Sequence, residues 1–73
     1  MAYTASNIQD IIRSGCAVII SSNGFTAPQL QDMARTAKGQ GKHLTIKVAN
    51  SFTVTQLQDI ARAGSGHVTL ELS

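Results

Sequence analysis

Apolar residues recur along the chain in two alternating spacings, one typical of helices and one typical of strands. The helical spacing places Ile8, Ile11 and Ile12 at positions i, i+3 and i+4, which line one face of a helix. The same spacing returns at Leu30, Met33 and Ala34, and again at Leu57, Ile60 and Ala61. Each helical segment is followed by a short run rich in β-branched residues, so the chain predicts the order helix–strand three times.

The three apolar runs differ in their alternation. In runs 43–48 and 67–72 apolar and polar residues alternate strictly, which is typical of a strand with one covered and one wetter face. Leu44, Ile46 and Val48 share one face of the second run. The first run, 16–20, is apolar throughout and shows no such alternation.

The helix–strand segments are also copies of one another. Residues 3–13 return in altered form as 25–35 and 52–62, and the last two blocks are identical at 8 of 11 positions. Self-similarity at this spacing is typical of repeat architecture. We therefore predict a single domain, residues 1–73, built of three αβ repeats over residues 3–22, 25–49 and 52–73.

Signals for helix ends support these boundaries. Thr26 with Gln29, and Thr53 with Gln56, have the spacing of a capping box, and Thr4 with Asn7 is a weaker version. An aromatic residue precedes each of these three threonines. Glycines follow each helical segment, as glycine at a helix C-terminus should: Gly15, Gly39 or Gly41, and Gly64 or Gly66.

The predicted fold class is α/β. A helix that joins two strands of one sheet makes a right-handed crossover and sets the strands parallel. Equivalent repeats should use the same crossover, which predicts strand order 1-2-3 with the helices mainly on one face, as in a short solenoid. The alternative order 2-1-3 would bury the first strand and explain its uniform apolarity.

The size of the chain predicts self-association. A domain of 73 residues has a small core, and one cysteine allows no intrachain disulfide. The 1-2-3 sheet would leave two edges unpaired and one face without helices. We therefore predict a homodimer, with Val18 and Ile20 on the helix-free face and in the interface.

The net charge of +2 comes from one segment. Each Asp stands three residues before an Arg, in the pairs Asp10–Arg13, Asp32–Arg35 and Asp59–Arg62. These pairs cancel, and Lys47 is balanced by Glu71. The net charge therefore resides on Lys38 and Lys42, in a segment of the second repeat that we expect to be a loop.

Three sets of residues are candidates for chemistry. Cys16, His43 and His67 are expected at the same position on successive strands, pointing to one face, where they could share a metal ion, but strand starts after glycine are the preferred interpretation. The loops at the carboxyl ends of the strands lead into helix N-termini, which favour anions. A phosphate or nucleic-acid site there would use the following residues: Asn23, Gly24, Lys38, Lys42, Lys47 and Asn50.

The third set is a stripe of Gln, Asp and Arg repeated on all three helices. It comprises residues 9, 10 and 13, residues 31, 32 and 35, and residues 58, 59 and 62. This Gln/Asp/Arg stripe is either a solvated helix surface or a docking surface for another protein. We name no catalytic residue, no cofactor and no metal site, and we do not expect an enzyme.

The function we predict is a small non-enzymatic interaction or adaptor module that forms a homo-oligomer through its repeat surface. The alternative is a small binder of nucleic acid or phosphate. No apolar run is long enough to span a bilayer, and no signal peptide is evident. Together with the lone cysteine, this leads us to expect a cytoplasmic protein without a membrane partner.

Overall fold

The chain alternates helix and strand three times. The structure, a computed structural model, describes residues 3–48 and 52–72. Its elements, in chain order, are α1 (Ala5–Arg13), β1 (Val18–Ser21), α2 (Ala27–Gln40), β2 (Leu44–Lys47), α3 (Val54–Gly64) and β3 (Val68–Glu71).

Each helix begins with the same capping box. The threonine side chain accepts a hydrogen bond from the backbone N–H three residues later, at 3.1 Å for Thr4, 3.4 Å for Thr26 and 3.2 Å for Thr53. The amide side chain at that later position accepts from the threonine N–H in return. The predicted boxes are confirmed, including the one closed by Asn7, because the shorter Asn side chain still reaches the backbone.

The helices end in three different ways. Gly15, two residues beyond the last residue of α1, has a φ of +101°, and Gly41 ends α2 in the left-handed conformation with a φ of +67°. After α3, Ser65 has a φ of 31° and the next residue, Gly66, has a φ of +85°. The prediction of a loop around Lys38 is wrong, because α2 continues through Lys38 to Gln40. It has 14 residues where α3 has 11, so the extra segment adds about one helical turn.

The sheet is parallel with the order β1-β2-β3, so the alternative order 2-1-3 is excluded. Val18 lies beside Leu44 and Leu44 beside Val68, and the pairing continues to Ser21, Lys47 and Glu71. Since a parallel pair needs a crossover, each of α2 and α3 links two neighbouring strands.

The core forms where the apolar helix residues meet alternate strand residues. Its largest fully buried side chains come from all three helices and from β2: Ile12, Leu30, Met33, Leu44, Ile46 and Ile60. Val18 and Ile20 of β1 and Val68 and Leu70 of β3 pack against this core and are partly buried.

The opposite face of the sheet, called here the exposed face, carries residues 19, 21, 45, 47, 69 and 71. Val18 and Ile20 do not lie on it, so their predicted position is wrong. They pair in register with Leu44 and Ile46 and pack against the core with them. The exposed residue of β1 is Ile19, whose exposed fraction is 69%. The physical reason is register, since a shift of one residue moves every side chain to the other face.

Candidate interaction surfaces

The outer edge of β1 is the first surface that could bind a partner. Val18 and Ser22 donate their N–H groups to the carbonyls of His43 and Lys47, at 3.2 and 3.0 Å. Because successive residues of a strand direct their backbone groups to opposite sides, the N–H and C=O of Ile19 point away from β2. Within the described residues, no strand pairs with this edge.

A cleft of about 330 Å³ lies at the carboxyl end of the same edge. Tyr3 and Ile8 line it from α1 and the residues before α1, and Ile20, Asn23 and Phe25 line it from β1 and the following loop. The wall is mainly apolar, and Tyr3 is 59% exposed. The cleft is therefore suited to an apolar side chain or a small amphipathic ligand.

The outer edge of β3 is the second surface. Leu44 and Val48 of the β2 segment donate to the carbonyls of His67 and Glu71, at 2.9 and 3.0 Å. The backbone groups of Val68 and Leu70 therefore point to the outer side of β3. Leu72 follows directly and is 67% exposed, so this edge also has an apolar residue beside it.

The candidate metal ligands do not converge. Continued back by one residue, the strand register pairs His43 with Ala17 and with His67, so the expectation that Cys16 occupies the same position is wrong. His43 contacts the Thr69 hydroxyl, and His67 Nδ1 donates to the Lys42 carbonyl at 3.1 Å. Within residues 3–48 and 52–72, no three side chains of His, Cys, Asp or Glu are placed to hold a metal ion.

The structure also divides the predicted anion site. Asn23 and Gly24 lie after β1, at the carboxyl end of the sheet, and Lys47 ends β2 on the exposed face. Lys38 lies in the last turn of α2, whose 14 residues span about 20 Å back toward the amino ends of the strands. Lys42 lies at that end as well. The predicted residues therefore do not form one site, and Asn50 lies outside the described residues.

Lys38 instead belongs to a shallow groove on the surface of α2 and α3. Arg35, Arg62, Gly39 and Ala63 line it with Lys38. Both arginines are bonded to aspartates of their own helices, at 2.8 Å for Arg35–Asp32 and 3.3 Å for Arg62–Asp59. This groove brings together three cationic side chains, two of them paired with aspartates, and the linear order of the residues does not reveal it because they come from two helices.

The Asp–Arg pairs of the Gln/Asp/Arg stripe form as predicted. The third pair, Asp10–Arg13, has an N–O distance of 3.3 Å, and all six side chains are substantially exposed. Exposed pairs of this kind contribute little to stability. The stripe is a regular polar surface, and its predicted role in docking stays a prediction.

Two apolar residues of these surfaces were not expected to be exposed. Ile11 is 38% exposed on α1, and Ile19 is exposed beside the edge of β1. The equivalent positions gave no signal for Ile11, since Met33 and Ile60 are buried core residues. Comparison of the chain with protein-family models, with curated proteins and with solved structures finds no significant match. In the part of the chain that the structure describes, no helix is long and apolar enough to cross a membrane.

Proposed function

We propose that the chain consists of three equivalent αβ units with the helices mainly on one face, and that it is a non-enzymatic interaction module that self-associates. The observation that carries this proposal is the burial of the core along the sheet. Leu44 and Ile46 in the middle strand are fully buried. The corresponding residues of the two edge strands, such as Val18 and Val68, are only partly buried. The core is thus incompletely covered at the β1 edge and at the β3 edge of the sheet.

Apolar side chains on the flanking segments extend these two ends. Ile11 on α1 and Tyr3 at the cleft beside β1 are exposed, and Leu72 is exposed directly after β3. A chain of this length buries only about 60% of the surface that its unfolded form exposes, so it gains stability from any contact that covers more apolar area. Association at the ends would provide that contact and would also pair the two sheet edges.

The proposal is tested by the molar mass of the chain in solution. We expect light scattering after gel filtration to give a mass above that of one chain, rising with protein concentration. Because the contact is mainly apolar, the mass should change little between about 50 and 200 mM salt, since salt screens charges and not apolar contacts. Ile11→Glu should lower the mass, whereas Ser6→Glu, an exposed position on the same helix, should not. A mass of one chain at every concentration would contradict the proposal.

The second candidate function is binding of nucleic acid or phosphate, favoured by the groove of Arg35, Lys38 and Arg62. Contacts with phosphates make affinity fall steeply with salt. Fluorescence anisotropy of labelled single-stranded and duplex DNA at about 50 and 200 mM salt measures this directly. Binding that weakens with salt and is reduced by Lys38→Glu would support the candidate. Equal, negligible binding at both salt concentrations would exclude it.

A further inference from the structure

Exposed residues at the β1 end and at the β3 end of the molecule occupy positions whose equivalents are buried between the helices. Ile11, Met33 and Ile60 occupy equivalent helix positions, and Ile12, Ala34 and Ala61 occupy the next position along. Met33 and Ile60 are fully buried, whereas Ile11 is 38% exposed. Among the described helices, α1, which carries Ile11, is the one that no other helix precedes. We conclude that this position, called here the front position, faces the preceding helix.

The next position along each helix is buried in α1 and α2 and exposed in α3. Ile12 and Ala34 are fully buried, whereas Ala61 of α3 is exposed. Among the described helices, α3, which carries Ala61, is the one that no other helix follows. We conclude that this position, called here the back position, faces the following helix. Each internal helix contact therefore joins a back position to a front position: Ile12 to Met33, and Ala34 to Ile60.

The outer edges of β1 and β3 also correspond to the two sides of the internal strand pairings. In both internal pairings the N–H groups of core-facing residues donate to carbonyls of the next strand, as Val18 does to His43 and Leu44 does to His67. On the outer side of β3, the core-facing Val68 and Leu70 direct their N–H groups outward. On the outer side of β1, the carbonyl of Ile19 points outward. The donors and acceptors of the two free edges thus have the spacing that the internal pairings use.

From this match we infer that two copies join head to tail, with the third αβ unit of one copy packed against the first unit of the next. The inference rests on the proposed function. It pairs β3 with the partner copy's β1 in parallel, so that Val68 lies beside the partner's Val18. Ala61 then packs against the partner's Ile11, which repeats the residue types of Ala34 and Ile60, both fully buried inside the molecule.

The cleft at the edge of β1 fits this arrangement. With Leu70 beside the partner's Ile20, Leu72 comes next to the loop that lines the cleft. Leu72 and Tyr3, both exposed in the single chain, would then be covered by one contact. A head-to-tail contact joins the β3 end of one copy, called here the back, to the β1 end of the next copy, called here the front. A dimer therefore keeps one free front and one free back, and association extends to a filament or closes to a ring.

A mixing experiment tests the geometry. Ile11→Glu blocks the front and Ala61→Glu blocks the back, because either change buries a charge in the contact. Each variant alone should have the mass of one chain, with association weakened at least about tenfold. An equimolar mixture should form a dimer of one copy of each, since one keeps a free back and the other a free front.

Matched controls place the same charge elsewhere. Ser6→Glu on α1 and Thr55→Glu on α3 occupy positions whose equivalents are exposed in all three helices, and each should associate like the wild type. Ile19→Pro is a second front variant that leaves the β1–β2 hydrogen bonds intact, since the N–H of Ile19 points outward. Circular dichroism checks that every variant is folded.

The outcomes separate the geometry from the proposed function. Restoration of a dimer only in the mixture supports head-to-tail association. If the wild type associates but Ala61→Glu does so equally well, or if the mixture stays monomeric, the head-to-tail contact is refuted and self-association stands. If the wild type is monomeric at all concentrations, both the proposed function and the inference fail.

Discussion

Gly64, the last residue of α3, provides the sharpest test of the packing. A Cβ atom at this position would overlap Val68 Cγ2 and would lie 3.1 Å from Val68 Cβ and 3.2 Å from Ala34 Cβ. Rotation of the valine side chain could remove the overlap, but the two Cβ atoms are fixed by β3 and α2. The chain turns directly from α3 into β3 here, with the His67 N–H donating to the Gly64 carbonyl at 2.9 Å.

We therefore expect Gly64→Ala to destabilise the protein. Overpacking of a core costs about 1–3 kcal/mol, and the gain in helix propensity from Gly to Ala is at most about 1 kcal/mol. The net loss is about 1–2 kcal/mol. A small domain has a urea m-value of about 1 kcal/mol/M, so the urea concentration at the unfolding midpoint should fall by about 1–2 M.

Gly39 is the matched control. It is also helical, but it is exposed, and a Cβ atom at this position would have no atom within 4 Å. Gly39→Ala should therefore show the propensity gain alone, with the free energy of unfolding raised by about 0.5–1 kcal/mol. The two variants thus make the same chemical change with opposite expected signs.

Urea unfolding followed by far-ultraviolet circular dichroism, at one fixed protein concentration, measures both variants. Val68→Ala in the Gly64→Ala background removes the Cγ2 contact and should make the glycine substitution less costly. A Gly64→Ala protein as stable as the wild type, or one whose cost is unchanged by Val68→Ala, would refute the close approach of α3 to β3.

Three further predictions concern the helix ends and the surface. Thr53→Ala removes the side-chain cap of α3 and should lower the free energy of unfolding by about 1 kcal/mol; urea midpoints equal to the wild type would contradict the capping box. Ser65→Gly places glycine at a left-handed position and should raise the melting temperature, with a gain of about 0.5–1 kcal/mol in the free energy of unfolding. Ser14→Gly, at a right-handed cap, should lower the melting temperature. Asp59→Asn should change the free energy of unfolding by less than about 0.5 kcal/mol, because the pair with Arg62 is exposed; a larger loss would show that the pair has a structural role.

The features that sequence reasoning predicted correctly depend on neighbours along the chain. A capping box joins residues three positions apart, and an Asp–Arg pair does the same, so both form once the helix forms. The faces of β2 and β3 followed from strict alternation, because only one assignment buries Leu44 and Ile46. The parallel order followed from the handedness of the crossover.

The candidate sites were predicted less well, because they depend on the distances between elements. Lys38 was grouped with Asn23 in one site, but it lies near the C-terminus of α2, at the opposite end of the sheet from the loop that follows β1. The groove with Arg35 and Arg62 arises only when α2 packs against α3. No spacing in the chain indicates this groove.

The sequence by itself determined the order of the elements, the start of each helix and the inward faces of two strands, because each of these is decided by residues within one or two turns of chain. Only the tertiary structure decided which residues of β1 face the core. Its uniformly apolar run offers no alternation, so either register would bury apolar side chains, and pairing with Leu44 and Ile46 selects Val18 and Ile20. That selection leaves Ile19 exposed. Likewise, only the packing of the three helices distinguished the front position of Ile11 from its buried equivalents, because among the described helices none precedes α1.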